Sequence, residues 1–418
     1  MAAARHHVIV GAGTAGLSAV EAIRRAAPGD AVTILSAEPD APYSPTVLPH
    51  LLAGRIDAAR VALRPESFFA PEGCRLRLGT EVSALDAAAR RVRLADGSAL
   101  AYDTLLLASG SEPLRPALEN PHGVELLGFV RLADLRSLHA RLGDGVRVAV
   151  LGAGLIGMEL AEALVHRGRG VRVTVIEQER QVLPRSFDAE LAGEIAALFE
   201  SRGVTLRLGQ RATALERTGA GVALALSDGS AEAADLVVAC VGVRPRAGFL
   251  AGAGLATGRG VLADRRMATN LPGVFAAGDV AEGLGADGTP GVHPVLPTAA
   301  GQGRVAGANM AGRQVEHEGW LPANAFNFFG RVALSVGATE PGAGQDVVSR
   351  SRDGGRGRLV FEGPRLAGAS FVGVAADPGA LGWLIRRGVP AREHAELLLA
   401  HPVAGARWLA ARGQREAA

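Results

Sequence analysis

HHVIVGAGTAG, residues 6–16, and RVAVLGAGLIG, residues 147–157, carry the same message twice. Each is a short run of strand-forming residues followed by G-x-G-x-x-G. Apolar residues at helical spacing come next, over Leu17–Arg25 in one copy and Met158–Arg167 in the other. A second strand-like run then ends on an acid: AVTILSAE closes at Glu38 and VRVTVIE at Glu177. These are the parts of a βαβ unit that binds a dinucleotide. Gly11 allows the tight turn, Gly13 lets the backbone approach a pyrophosphate, and Gly16 lets the helix lie close to the sheet. Gly152, Gly154 and Gly157 repeat the arrangement. Thr14 and Ala15, like Leu155 and Ile156, occupy first turns whose free amides and partial positive charge suit phosphate. Glu38 and Glu177 lie 22 and 20 residues past the last glycine, where a carboxylate grips a ribose diol. One glycine-rich turn serves equally as a plain βα corner. Two complete copies predict two dinucleotide sites.

The rest of the chain is consistent with this. A length of 418 residues calls for more than one core. With 48% hydrophobic and 21% charged residues it reads as globular rather than disordered. A net charge of +2 gives no field for nucleic acid. All 44 cationic residues are arginine, so no lysine amine is available for Schiff-base chemistry. Cys74 and Cys240 form no C-x-x-C pair, and neither a disulfide scaffold nor a zinc site is expected. No apolar run approaches the ~20 residues of a membrane span. The opening strand at Val8–Val10 leaves no room for a signal peptide, which points to the cytoplasm.

Gly79–Tyr102 and Gly209–Leu236 alternate and turn at Asp96-Gly97 and Asp228-Gly229, so each α/β unit is expected to carry an inserted β-meander. From about Trp320 the pattern changes. Phe326–Val336 reads as a strand, Arg350–Arg358 as a polar turn and Leu359–Val374 as further strand. A helical tail from Pro378 follows. The expected fold is α/β: two Rossmann-like dinucleotide-binding domains with inserted β-meanders, plus a C-terminal α+β domain. The tail carries Leu381, Trp383, Leu384, Ile385, Leu397–Leu399, Trp408 and Leu409. Either it packs on its own domain, or it serves association with copies or partners.

Five motifs in order, GAGTAG (11–16), YDTLLLASGSEP (102–113), GAGLIGMELA (152–161), VGVRP (241–245) and TNLPGVFAAGDV (269–280), carry a resemblance. With them the chain resembles the pyridine nucleotide-disulfide oxidoreductase family, in its ferredoxin-reductase-like and nitrite-reductase-like branch. The resemblance implies FAD on the first unit and NAD on the second. It implies an FAD domain over 1–115 and 251–320, an NAD domain over 116–250 and a C-terminal interface domain over 321–418. For FAD it implies Glu38 on the adenosine ribose, Val82 and Ala108-Ser109-Gly110 along the adenine and pyrophosphate, and Gly278-Asp279 on the ribitol. Ser109 departs from the usual A-T-G but keeps the hydroxyl. Thr298-Ala299 would open a helix facing the pyrimidine edge of the flavin, and Arg131 matches an arginine that approaches FAD. Pro45 and Thr46 fall in the segment that lines the flavin.

For NAD the resemblance implies Gly242-Val243 beneath the nicotinamide and Glu159 near the hydride-transfer centre. A first-turn carboxylate that simply answers a helix dipole is the other reading of Glu159. Glu177 accepts hydrogen bonds from a 2′-hydroxyl and repels a 2′-phosphate, which favours NADH. Several relatives place a redox cysteine in the segment that here reads PYSPTVLPHLLAG (42–54). Thr46 stands there instead, so thiolate chemistry is not expected. His50 stands where the branch often has a lysine, either as a local cation beside Glu159 or as a structural side chain. The implied function is hydride exchange between NAD(H) and FAD, with electrons passed to or from an iron–sulfur or metal-containing partner or partner subunit. The run PYSPTVLPHLLAGRI (42–56) resembles flavin subunits of multi-subunit aldehyde or 2-oxoacid oxidoreductases, in which electrons flow toward NAD⁺. A stand-alone NADH:ferredoxin or rubredoxin reductase, an NADH oxidase, and a flavin-bearing signalling protein are the alternatives. The resemblance assigns no metal to this chain itself, and it implies an oligomer or a subunit of a complex.

Overall fold

Val8 and Val10 leave the strand His6–Val10 on one side and Ile9 on the other, and all three are buried. A strand buried on both faces belongs in the middle of a parallel sheet covered on both sides. The computed structural model, which describes residues 4–417 apart from Ala220 and Asp353, shows this sheet. Its order is Val274–Ala276, Thr104–Leu107, His6–Val10, Ala31–Leu35, Cys74–Arg77, with every pair parallel. Ile9, Ile34 and Leu106 pack with Ala15, Ala19 and Ile23 of the helix Thr14–Ala26 and with Ala306 and Met310 of the helix Leu296–Met310. Val8, Val10 and Leu107 pack on the other side with Val82, Leu85 and Val92 of the meander Val82–Asp86, Arg91–Leu94, Ala99–Ala101. This unit comprises residues 1–51, 55–114 and 243–320.

The second unit comprises residues 52–54, 115–242 and 321–418. It repeats the design with a parallel sheet ordered Thr205–Leu208, Arg172–Glu177, Arg147–Leu151, Leu236–Ala239, Leu126–Leu127. The helix Leu155–Arg167 and a second meander, Ala212–Thr218, Gly221–Leu226, Ala231–Ala234, complete the repeat. Val243, expected within 116–250, begins a strand that pairs Val243–Pro245 with Ser111–Pro113 of the first unit.

The C-terminal part of the second unit is a five-stranded antiparallel sheet covered by the helices Pro378–Arg387, Ala395–Ala400 and Pro402–Ala417. Two expectations need correction here. Phe326–Val336 is a hairpin rather than one strand, Ala323–Phe328 paired with Arg331–Gly337. Phe329 turns it with φ 52°, a left-handed conformation that a bulky residue rarely adopts. It is held there because Glu162 accepts its backbone N–H at 3.0 Å, while its ring stacks on His166 and meets the edge of Phe199. The expected turn over Arg350–Arg358 is mostly strand, Gln345–Arg352 paired with Gly355–Glu362. Within that stretch Asp353 lies outside the described residues.

For the tail, the buried side chains favour packing on its own domain. Leu381, Leu384 and Leu398 are fully buried, and Leu399 and Leu409 nearly so, against Leu334, Leu359, Phe361 and Phe371 of the sheet. These side chains complete a core, so they do not present an association surface. Trp408 is 46% exposed.

Candidate functional site

In the first unit the turn after His6–Val10 is built around Gly11, whose φ is +110°. A Cβ there would lie 2.1 Å from the Ala108 carbonyl oxygen, so the fingerprint loop touches the end of the neighbouring strand, and only glycine fits. A Cβ on Gly16 would lie 2.1 Å from the Gly11 oxygen, which keeps the helix tight against the turn. At Gly13, by contrast, a Cβ would meet nothing within 4 Å, and no side chain caps the helix. The first-turn amides of Thr14, Ala15 and Gly16 thus have no intrahelical acceptor and follow an uncrowded Gly13, an arrangement suited to a pyrophosphate. The helix begins at Thr14, three residues earlier than the apolar pattern suggests, which is what places these amides at the loop.

The strand-order reversal at His6–Val10 makes this the crevice of the sheet. Ala108 follows the end of the strand Thr104–Leu107, Ser109 Oγ donates to the Arg246 carbonyl at 2.8 Å, and Gly110 has φ +72°. Gly278 closes the other side: a Cβ on it would lie 3.1 Å from Ala15 Cβ and 3.7 Å from Ala299 Cβ. The same glycine donates its N–H to Gln302 Oε1 at 2.8 Å. Asp279 accepts from Ser111 Oγ at 2.7 Å, and burial pushes its carboxyl pKa up. Thr298 and Ala299 are both 7% exposed in the first turn of Leu296–Met310. Gly11, Gly13, Ala15, Ala108, Gly278 and Ala299 thus converge.

The remaining expected FAD residues are more dispersed. Glu38 is not on the strand, which ends at Leu35; Pro39 follows Glu38 and has no N–H for a ladder. From its loop Glu38 accepts the Tyr43 hydroxyl at 2.6 Å. Pro45 and Thr46 form a short 3-10 turn, with the hydroxyls of Ser44 and Thr46 at 2.8 Å. His50 is exposed on the short helix Leu48–Leu52, and Val82 is buried at the start of the meander. Arg131 belongs to the second unit. It stands at the N-terminus of the helix Leu132–Arg141, where its backbone N–H donates to Asp134.

The second fingerprint has the same construction. Gly152 has φ +103°, and a Cβ on it would lie 2.5 Å from the Cys240 carbonyl oxygen; a Cβ on Gly157 would lie 2.0 Å from the Gly152 oxygen. Around Gly154 there is open space, before a helix that starts at Leu155 and Ile156 without a side-chain cap. Glu177 is the last residue of its strand and is buried. Its two oxygens accept from the backbone N–H groups of Ala153, at 2.7 Å, and Glu179, at 3.0 Å. Each oxygen keeps a second lone pair for a ribose hydroxyl. Gly242, with φ +109°, ends the segment 115–242 of this unit.

Glu159 sits in the first turn and a half of that helix. Burial, and then the charge of Glu162 one turn on, push its pKa up to about 7. A carboxyl that holds its proton more tightly folded than unfolded gives a stability greatest below about pH 4.5, falling as pH rises to about 7 and flat above. We expect Glu159→Gln to gain up to about 3 kcal/mol of unfolding free energy near pH 8 and nothing near pH 4. Denaturant titrations at the two pH values measure this; an equal effect at both would place the ionisation elsewhere.

The family model of pyridine nucleotide-disulphide oxidoreductases matches residues 5–313, the span holding both fingerprints. The chain belongs to this family. It is 35% identical over 404 residues, 95% of each chain, to the NADH-dependent phenylglyoxylate dehydrogenase subunit epsilon of Aromatoleum evansii. It is 33% identical to the rubredoxin-NAD(+) reductase of Pseudomonas putida, over 66% of this chain and 71% of that one. Its fold is similar to the crystal structure of a ferredoxin reductase from Rhodopseudomonas palustris, with a TM-score of 0.81 and 28% identity, covering 88% of this chain and 91% of that one. As a member of this oxidoreductase family the chain takes FAD and NAD(H) as cofactors and is an FAD-dependent oxidoreductase of NAD(H).

Within this oxidoreductase some positions were not singled out from sequence. On Gly303 and Gly307 a Cβ would lie 2.2 Å from the Ala15 oxygen and 2.3 Å from the Ala19 oxygen. The pair G-x-x-x-G at 303–307 against A-x-x-x-A at 15–19 packs the middle of one helix closely on the start of the other, and that spacing was the available signal. Ser111, which holds Asp279, lies within the motif at 102–113, but nothing in that motif pointed to its contact with Asp279.

Proposed function

We propose that NAD(H) and FAD exchange a hydride on this chain in the cytoplasm. FAD in turn exchanges electrons with the iron–sulfur or metal centre of a partner protein or partner subunit. The observation that carries this is the pair of glycine cradles, each before a helix start with no side-chain cap, the second with the Glu177 carboxylate held on its loop by Ala153 N–H. Bound FAD would supply the conversion between two-electron and one-electron transfer. Thr14–Gly16, Gly278 and Asp279 would hold its phosphates and ribitol, and the resemblance also assigns Val82 and Arg131 to it. Leu155–Gly157, Glu177 and Gly242-Val243 would hold the nicotinamide nucleotide, with Glu159 beside the transferred hydride. Aligning donor and acceptor makes the transfer effectively intramolecular. Similarity to the phenylglyoxylate dehydrogenase subunit over nearly its whole length favours a subunit of a 2-oxoacid oxidoreductase, with electrons flowing toward NAD⁺. The ferredoxin- and rubredoxin-reductase relatives support the stand-alone alternative.

No thiol takes part in this reading. Cys74 and Cys240 are free; burial raises both thiols, that of Cys240 to about 12. At neutral pH neither is a thiolate nucleophile. We expect a Cys74→Ser, Cys240→Ser protein to reduce ferricyanide with NADH at a rate within about threefold of the parent, well under the tenfold that 1.36 kcal/mol of barrier represents. A protein that keeps FAD but loses this turnover would restore thiol catalysis.

A further inference from the structure

His293 lies three residues before the helix Leu296–Met310, and nothing in the reading above uses it. Its ring lies nearly flat on Trp320, centroids 5.0 Å apart and planes at 13°. Trp320 is itself fixed: its indole N–H donates to the Gly283 carbonyl at 3.2 Å, and its backbone pairs with Leu284 and Ala286. Gly291 leaves the space for that ring, since a Cβ there would lie 2.8 Å from Trp320 Cζ2. So the imidazole plane is set by an aromatic wall, and its Nδ1 lies 2.8 Å from Thr298 Oγ1.

We propose that His293 is a positioning residue for the flavin: through Nδ1–H it donates to Thr298 Oγ1 and turns the Thr298 hydroxyl proton toward the cofactor. This rests on the reading that Thr298 faces FAD. Thr298 has one proton and one place to put it. If Nδ1 carried no proton, the hydroxyl would donate to the imidazole and have nothing left for the cofactor. With Nδ1–H as donor, the hydroxyl keeps its own proton for an electron-rich acceptor. Without the imidazole, nothing fixes the direction of the hydroxyl, which is free to turn its proton to another local acceptor. Burial lowers the His293 pKa to about 4, so at neutral pH the ring is uncharged and acts by direction rather than by charge. A hydroxyl that donates toward FAD binds the reduced, electron-rich form more strongly than the oxidised one.

The test is the midpoint potential of the FAD-loaded protein, read by spectroelectrochemical titration beside the dissociation constant for oxidised FAD. His293→Phe keeps an aromatic ring against Trp320 but has no donor. We expect it to lower the preference for reduced over oxidised FAD about tenfold, a shift of about 30 mV to more negative potential for a two-electron couple. Thr298→Val should give a similar shift, and the double variant no more than Thr298→Val alone, because the two groups act in series. His293→Asn, whose amide stands where Nδ1 does, should recover most of the wild-type potential. It decides the matter if the Phe variant does not hold FAD. An unchanged potential in His293→Phe, fully additive shifts, or no recovery in His293→Asn would overturn the proposal. A wild-type protein with no FAD would instead overturn the reading on which it rests.

Discussion

Glu177→Gln is expected to cut the preference for NADH over NADPH about a hundredfold. The Glu177 carboxylate closes the second fingerprint and is buried, with one oxygen on Ala153 N–H and the other on Glu179 N–H. A 2′-phosphate placed there would meet a fixed negative charge. At ~5.5 Å and an effective dielectric of about 20 that repulsion is about 3 kcal/mol per unit charge, or roughly a hundredfold. Glutamine removes the charge but answers only one of the two backbone donors, leaving the other unpaired at a cost of about 1–3 kcal/mol. NADH binding should therefore weaken while the discrimination narrows. The ratio of the second-order rate constants for flavin reduction by the two nucleotides measures the effect. A wild-type protein that uses both equally well would show that Glu177 does not face the 2′ position.

Ending the chain at Asp377 should unfold the C-terminal domain. The lost segment supplies Leu381, Leu384, Leu398, Leu399 and Leu409, each no more than 2% exposed, to a core shared with Leu334, Leu359, Phe361 and Phe371. Removing one buried leucine side chain costs about 2–5 kcal/mol. Five together, at about 10–25 kcal/mol, match or exceed the ~5–15 kcal/mol that holds a typical domain. We expect an insoluble chain, or one that binds a hydrophobic dye and melts without cooperativity. A soluble truncated chain with a sharp melting transition and a smaller mass by light scattering would return the tail to association.

Both dinucleotide cradles were legible because each is a short motif of fixed spacing. Gly16 and Gly157 are required by the backbone of Gly11 and Gly152, five residues before them, and Gly11 and Gly152 turn the chain with positive φ against the backbone of Ala108 and Cys240. The acid ending the second copy was equally readable, but the two copies are not equivalent. Glu177 terminates its strand, whereas Glu38 lies in a loop before Pro39. Features that depend on distant partners were hidden. At the Phe329-Gly330 turn Gly330 is a local signal, but the left-handed backbone of Phe329 before it is held by Glu162, His166 and Phe199, which reach it only in the folded chain. The His293–Thr298 contact depends on the ring of Trp320, which only the folded chain brings alongside. The helical tail was visible as apolar periodicity, but periodicity does not say whether a face meets its own domain or another protein.

The most direct test of the account is anaerobic mixing of the purified protein with NADH while the visible absorption of the flavin is followed. We predict a yellow protein carrying about one non-covalent FAD per chain, as one FAD cradle implies, whose colour NADH bleaches rapidly and NADPH far more slowly. A folded but colourless protein, or a bound flavin that NADH leaves oxidised, would contradict it.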